Sequence, residues 1–235
     1  MSKSMNRSTA AKRAPIRTGW ALPLAAAVAF AGACSFPFTT PQRQLDAGET
    51  VLQGSLDLPG FGLMPRASGG LTHGVGGGDL GVHLGTSAFT GHAGAHGRVY
   101  LDPAVISLQG TVATNLVSFG DLVSSDNFGF FTSTMRIGNL PRPSREGSPQ
   151  IFYGGFEVTG FIPYRETYEG DFELGSGDFG TLTGGYGGLE HRVSDALHLQ
   201  AEASVRVLGV GVDDGAALVT GLFYPQVGMN LQYTF

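Results

Sequence analysis

Residues 197–208 read LHLQAEASVRVL, and their character changes at every step from 197 to 207. Leu197, Leu199, Ala201, Ala203, Val205 and Val207 take one parity, while His198, Gln200, Glu202, Ser204 and Arg206 take the other. A strand sorts two such sets onto opposite faces, whereas a helix would scatter both around its circumference. The segment predicts a strand with one apolar and one polar face. It is also long, since strands of soluble proteins average about 5–6 residues.

Other segments follow the rule with more interruptions. In 78–86, Leu80, Val82 and Leu84 oppose Asp79 and His83. In 105–116, Ile106, Leu108 and Val112 oppose Ser107, Gln109 and Thr111. In 128–138, Phe131, Met135 and Ile137 oppose Thr132, Thr134 and Arg136. In 150–162, Phe152, Phe156, Val158 and Ile162 oppose Tyr153, Glu157 and Thr159. The segments 95–101 and 180–191 are weaker and glycine-diluted. The chain holds 38 glycines in 235 residues and no triplet period, which excludes collagen and works against helices. Strands of about 9–11 tilted residues are what a bilayer-spanning barrel needs.

The connectors alternate between short and long. Residues 192–195 and the Asp102–Pro103 turn are short, while 165–178 and 209–221 are long. That is the spacing of an outer-membrane barrel with short periplasmic turns and long external loops. The 139–149 connector breaks the pattern by its length. Counting strands from residue 76 to the end gives eight. ETVLQGSLDL, 49–58, is left over, and as a ninth strand it would imply an unrecognised tenth. The expectation is an all-β, closed antiparallel transmembrane β-barrel of about eight strands, with ten as the alternative.

The N-terminus has its own composition. Lys3, Arg7, Lys12, Arg13 and Arg17 precede the apolar run WALPLAAAVAFAGAC, which ends at Cys34. A basic stretch, a short apolar run and a small-residue ending predict a secretory signal peptide over 1–33. The run is too short for a spanning helix, which needs about 20 residues. Cys34 is the sole cysteine, so it forms no internal disulfide. The stretch before it resembles a bacterial lipoprotein processing box, with Ala31 where leucine is usual. The resemblance implies lipidation at Cys34. Residues 34–48 read as a proline-containing linker, and 49–235 as the barrel domain.

Beyond residue 34 there are nine arginines, no lysine and nineteen acids, a net charge of −10. That balance disfavours sequence-independent nucleic-acid binding, which requires cations against phosphates.

The chain ends VGMNLQYTF, with Met229, Leu231, Tyr233 and Phe235 on one parity. This tail resembles the C-terminal strand signature of bacterial outer-membrane β-barrel proteins, whose last strand alternates and ends on an aromatic residue. The resemblance implies a place in the bacterial outer membrane. It also implies an assembly signal at Tyr233 and Phe235, with membrane lipids and the barrel assembly machinery as partners. In such a barrel the polar parity faces inward. The expected interior holds Asp79, His83, His96, Arg98, Tyr100, Gln109, Arg136, Glu157, His198, Gln200, Glu202 and Arg206. Arginines and carboxylates in a narrow lumen are expected to pair, because an unpaired buried charge is costly.

Functional motifs are few. His92 and His96 have the spacing of a helical zinc motif. On a strand they would stand ~13 Å apart, too far to share a metal. GGGDLG, 76–81, satisfies a dinucleotide-binding pattern but precedes a strand instead of linking strand to helix. A barrel hydrolase needs a serine beside a histidine, and Ser107 and His198 are the residues to consider. No metal or cofactor is expected. The acidic stretch Glu166, Glu169, Asp171, Glu173 and Asp178 reads as solvated, with divalent cations as the functional alternative. The reading that fits is a non-enzymatic envelope barrel, structural, adhesive or a narrow channel. The alternatives are a soluble lipocalin-like lipid-binding lipoprotein and a lipid-modifying barrel hydrolase.

Overall fold

The computed structural model describes residues 40–59, 65–87, 90–115, 127–140, 142–143, 148–166, 172–174, 179–211, 217–218 and 223–235. Cys34 and most of the acidic 166–178 stretch lie outside them.

Every regular element is a strand. In chain order they are β1 (Thr50–Pro59), β2 (Arg66–Gly74), β3 (Gly78–Thr86), β4 (Thr90–Leu101), β5 (Ala104–Asn115) and β6 (Asn127–Asn139). There follow β7 (Arg142–Pro143), β8 (Gln150–Glu166), β9 (Phe172–Leu174), β10 (Phe179–Arg192), β11 (Leu197–Gly211), β12 (Ala217–Leu218) and β13 (Phe223–Thr234). β7, β9 and β12 are strips of two or three residues that pair beside longer strands. The other ten form one antiparallel ring. β1 pairs with β2 on one side and with β13 on the other, and β8 pairs with β10 to complete the circuit. The seam runs from Val51↔Thr234 to Pro59↔Gln226. Closure removes the unpaired edges that an open sheet would present.

The barrel therefore has ten staves, not the eight counted from residue 76. The leftover 49–58 stretch is β1, and the unrecognised partner is β2, RASGGLTHG. The two are joined face to face, for example Leu56↔Ala67 and Leu52↔Leu71.

The two ends differ. Thr50, Thr234 and the connectors 75–77, 102–103 and 193–196 share one end. Gly76 and Gly77 turn β2 into β3 with φ of 79° and 78°, a region that side-chain-bearing residues avoid. The opposite, loop end holds Pro59, Asn115, Glu166, Gly211 and Phe223.

The alternation read from the sequence becomes inside and outside. On β13, Phe223, Pro225, Val227, Met229, Leu231 and Tyr233 are exposed, while Tyr224, Gln226, Asn230 and Gln232 are buried. Leu80, Val82 and Leu84 face out, Leu84 with 69% of its surface open. Apolar side chains thus cover the outer wall, and polar ones fill the centre. This is the reverse of a soluble lipid carrier, whose water-facing exterior is polar.

Candidate functional site

The lumen is the candidate site, and glycine shapes it. Tyr153 faces Gly188 in the register, Tyr164 faces Gly129, and Phe161 faces Gly180. A Cβ on any of these glycines would collide with the ring opposite. β3 and β4 repeat the device with imidazoles, pairing His83 with Gly94, Gly85 with His92 and Gly81 with His96. The result is a histidine ladder. His83 stands between the other two, its ring centroid 6.2 Å from His92 and 6.1 Å from His96. Each Nε2 meets a hydroxyl: His92 with Ser68 at 3.0 Å, His96 with Thr72 at 3.0 Å, and His83 with Thr111 at 3.2 Å. Among the described residues, no group of three His, Cys, Asp or Glu side chains is arranged to hold a metal ion.

Across the lumen the side chains are ionic. Glu157, fully buried, accepts from Arg136 Nε at 2.9 Å and from Arg206 Nε. Arg136 also reaches Glu202 at 2.7 Å and lies over the Tyr186 ring, 4.4 Å from its centroid. Arg206 donates to Gln226 at 2.6 Å. An amide network joins this side to the ladder. Gln53 donates to Thr72 at 2.8 Å, Asn230 to Gln53 at 3.2 Å and to Gln200 at 3.3 Å, and Gln200 to Tyr153 at 2.7 Å. At the loop end, Arg66 binds Asp57 at 2.8 Å. There Phe161, Leu182 and Tyr224 form an apolar cluster with Phe130 and Leu208.

The short-turn end is closed by the chain itself. Residues 40–48 fold back from the rim into the mouth, where Thr40, Gln42 and Leu45 are buried. Arg98 chelates Asp79 through Nε at 3.0 and 2.9 Å, and Tyr100 donates to the same carboxylate. His198 Nδ1 lies 3.1 Å from Glu190. Both groups also hold the strap, 40–48. Arg43 brings its guanidinium within 3.7 Å of Glu190 and 2.6 Å of Glu49. Buried carboxylates on the described wall are Asp57, Asp79, Glu157, Glu190 and Glu202, against Arg66, Arg98, Arg136 and Arg206. Arg43 supplies a fifth cation where the wall lacks one.

The structure places Asp79, His83, His96, Arg98, Gln109, Arg136, Glu157, His198, Gln200, Glu202 and Arg206 inside the barrel, with Tyr100 half-buried. It joins them as separate groups: Asp79 with Arg98, Arg136 and Arg206 with Glu157, and Arg136 with Glu202. Tyr233 and Phe235 face outward and meet edge to face at 5.3 Å. Ser107 lies between Arg98 and Arg136 in the register, while His198 faces Glu190, so the two residues considered for hydrolysis belong to different groups. Sequence reading missed Glu190, Asp57, Arg66 and Arg43. Glu190 shares its parity with the buried Tyr186, but the glycines between them obscure it.

No protein-family model matches the chain, and no curated protein does. Among solved structures, the chain is similar to neisserial surface protein A (NspA), with 10% identity over 80% of this chain and 95% of that one at a TM-score of 0.42. It is similar to Ail, the attachment invasion locus protein of Yersinia pestis, with 12% identity over 81% and 100% at 0.33. It is also similar to the outer membrane protein OprG of Pseudomonas aeruginosa, with 11% identity over 83% and 99% at 0.33. At these identities and scores, nothing about function is taken from them.

Proposed function

We propose that this chain is a non-enzymatic, non-conducting barrel of the bacterial outer membrane, a structural or adhesive component of the envelope. The outward apolar wall carries this reading. Leu56, Leu80, Leu84, Leu108, Phe156, Val205 and Met229, on six different strands, are each exposed by at least half their surface. A water-soluble protein rarely shows a contiguous apolar patch beyond a few hundred Å². In hydrocarbon such a wall is the requirement, and a closed ring is the only sheet that leaves no backbone unpaired. The lumen supports closure to solutes, because ion pairs, amides and the 40–48 strap interlock across it. Its strand number is also far below the roughly 16–18 that leave an aqueous channel. Residues 1–33 would direct secretion, and lipidation of Cys34 would add a second hold on the membrane. Outer-membrane lipids and the assembly machinery reading Tyr233 and Phe235 are the partners in this reading.

Outer membranes from expressing cells provide the test. Protein that resists carbonate extraction, migrates differently before and after boiling, and gives no steady current in planar bilayers fits the proposal. Release by carbonate would sink the membrane assignment. A steady ion current from the purified wild type would sink the non-conducting part and leave a narrow channel.

A further inference from the structure

The wall of the short-turn mouth is built to receive peptide backbone. Five main-chain groups of residues 41–45 end on three wall side chains. Glu190 accepts the N–H of Gln42 at 2.9 Å and that of Arg43 at 3.3 Å. Arg98 donates to the carbonyl of Pro41, and to that of Arg43 at 3.3 Å. Tyr100 accepts the N–H of Leu45 at 3.1 Å. The side chain of Gln42 donates within the strap, to Thr40 O at 3.1 Å, while its backbone N–H is the group that meets Glu190. Gly74 completes the mouth by lacking a side chain, since a Cβ there would collide with the Asp46 carbonyl.

One side chain is also read by its chemistry. Arg43 donates to the Thr234 hydroxyl at 2.7 Å and lies 3.7 Å from Glu190. Glu190 is wholly buried with the strap in place, and without the strap its remaining side-chain neighbour at contact distance is His198. Releasing the strap removes two backbone donors and one cation from this carboxylate. The groups that bind the strap recognise a bent stretch of backbone and one cation, and the mouth also buries the Leu45 side chain.

We propose that this mouth is a receptor for a short peptide segment bearing one basic side chain. Residues 41–45 are its resident ligand, and a segment of the same chemistry supplied in trans can replace them. The inference rests on the lumen and holds whether or not the barrel's setting is the outer membrane.

The test uses the full chain carrying Gln42→Pro and Arg43→Glu, which removes one N–H and reverses one charge while leaving the wall intact. Folding is verified by gel mobility in detergent micelles, and release of the strap by hydrogen exchange over residues 40–48. A fluorescein-labelled peptide copying residues 38–48 is then titrated. The expected result is saturable binding to the double variant and none to wild type. An Arg43→Glu copy of the peptide should bind at least about tenfold more weakly, equivalent to about 1.4 kcal/mol. Adding Glu190→Gln to the barrel should weaken capture similarly. A strap that stays protected in the double variant overturns the assigned contacts. A released strap with no capture of the peptide overturns the receptor. Arg43→Glu alone, which keeps every backbone group of the strap and leaves the mouth unaltered, serves the same measurements if the double variant fails to fold.

Discussion

The ring of Tyr153 occupies the space that Gly188, its partner on the adjacent strand, leaves open. A Cβ at position 188 would meet both the Tyr153 hydroxyl and the backbone oxygen of Ala201, and the backbone cannot yield as a flexible side chain would. Gly188→Ala should cost about 1–3 kcal/mol, the usual range for forced overpacking. Urea unfolding of the micelle-folded protein measures it. Gly110→Ala is the control, because a Cβ there meets nothing within 4 Å.

Glu157 neutralises two guanidiniums at once. Glu157→Leu takes a carboxylate from Arg206, which keeps Gln226, and from Arg136, which keeps Glu202. Removing one member of a buried ion pair costs about 3–5 kcal/mol. The variant should unfold at markedly lower urea, and a midpoint equal to wild type would show that the network is solvated.

Met229 tests the outer wall. It faces out beside Leu56 across the β1–β13 seam and is 62% exposed. In a bilayer, Met229→Arg should destabilise the barrel by about 2–4 kcal/mol, depending on depth. In water a surface change of this kind stays within about 0.5 kcal/mol. Folding titrations in lipid vesicles separate the two.

Glu49 makes the strap sensitive to acid. Burial pushes its carboxyl upward. The hydrogen bond and charge of Arg43, with the N–H of Asp46, outweigh that and leave it below its ordinary value of 4.5. A depressed carboxyl stabilises the folded form above its unfolded value, and that stabilisation is lost as pH falls through the folded value. Protection of residues 40–48 from hydrogen exchange should thus be flat at neutral pH and fall below about pH 4.5. Glu49→Gln should remove this component. A variant with an unchanged acid profile would assign the loss to other groups.

The faces of β11 were legible because residues 197–207 alternate without an exception. The strip 66–74 was not, because Gly69 and Gly70 are silent, His73 points outward, and Ala67 and Leu71 alone mark its apolar side. Inward positions such as Arg136 and Glu157 could be named from alternation, and that arginines would meet carboxylates followed from the cost of isolated charge. Which arginine meets which carboxylate depends on register, and register is fixed between strands far apart in sequence, as in Arg136↔Glu157. The strap could not be read at all. PQRQLDAG has no period, and its order comes from the mouth that receives it.

The seam between β1 and β13 also sets an order in time. Thr50 accepts a hydrogen bond from the N–H of Phe235 at 3.0 Å, which adds one more rung to the seam between the first stave and β13. Until β13 is made, β1 has no partner on one side. A chain stopped before residue 223 is accordingly no smaller barrel. It is a curled sheet with two open margins, free to pair with any strand it meets.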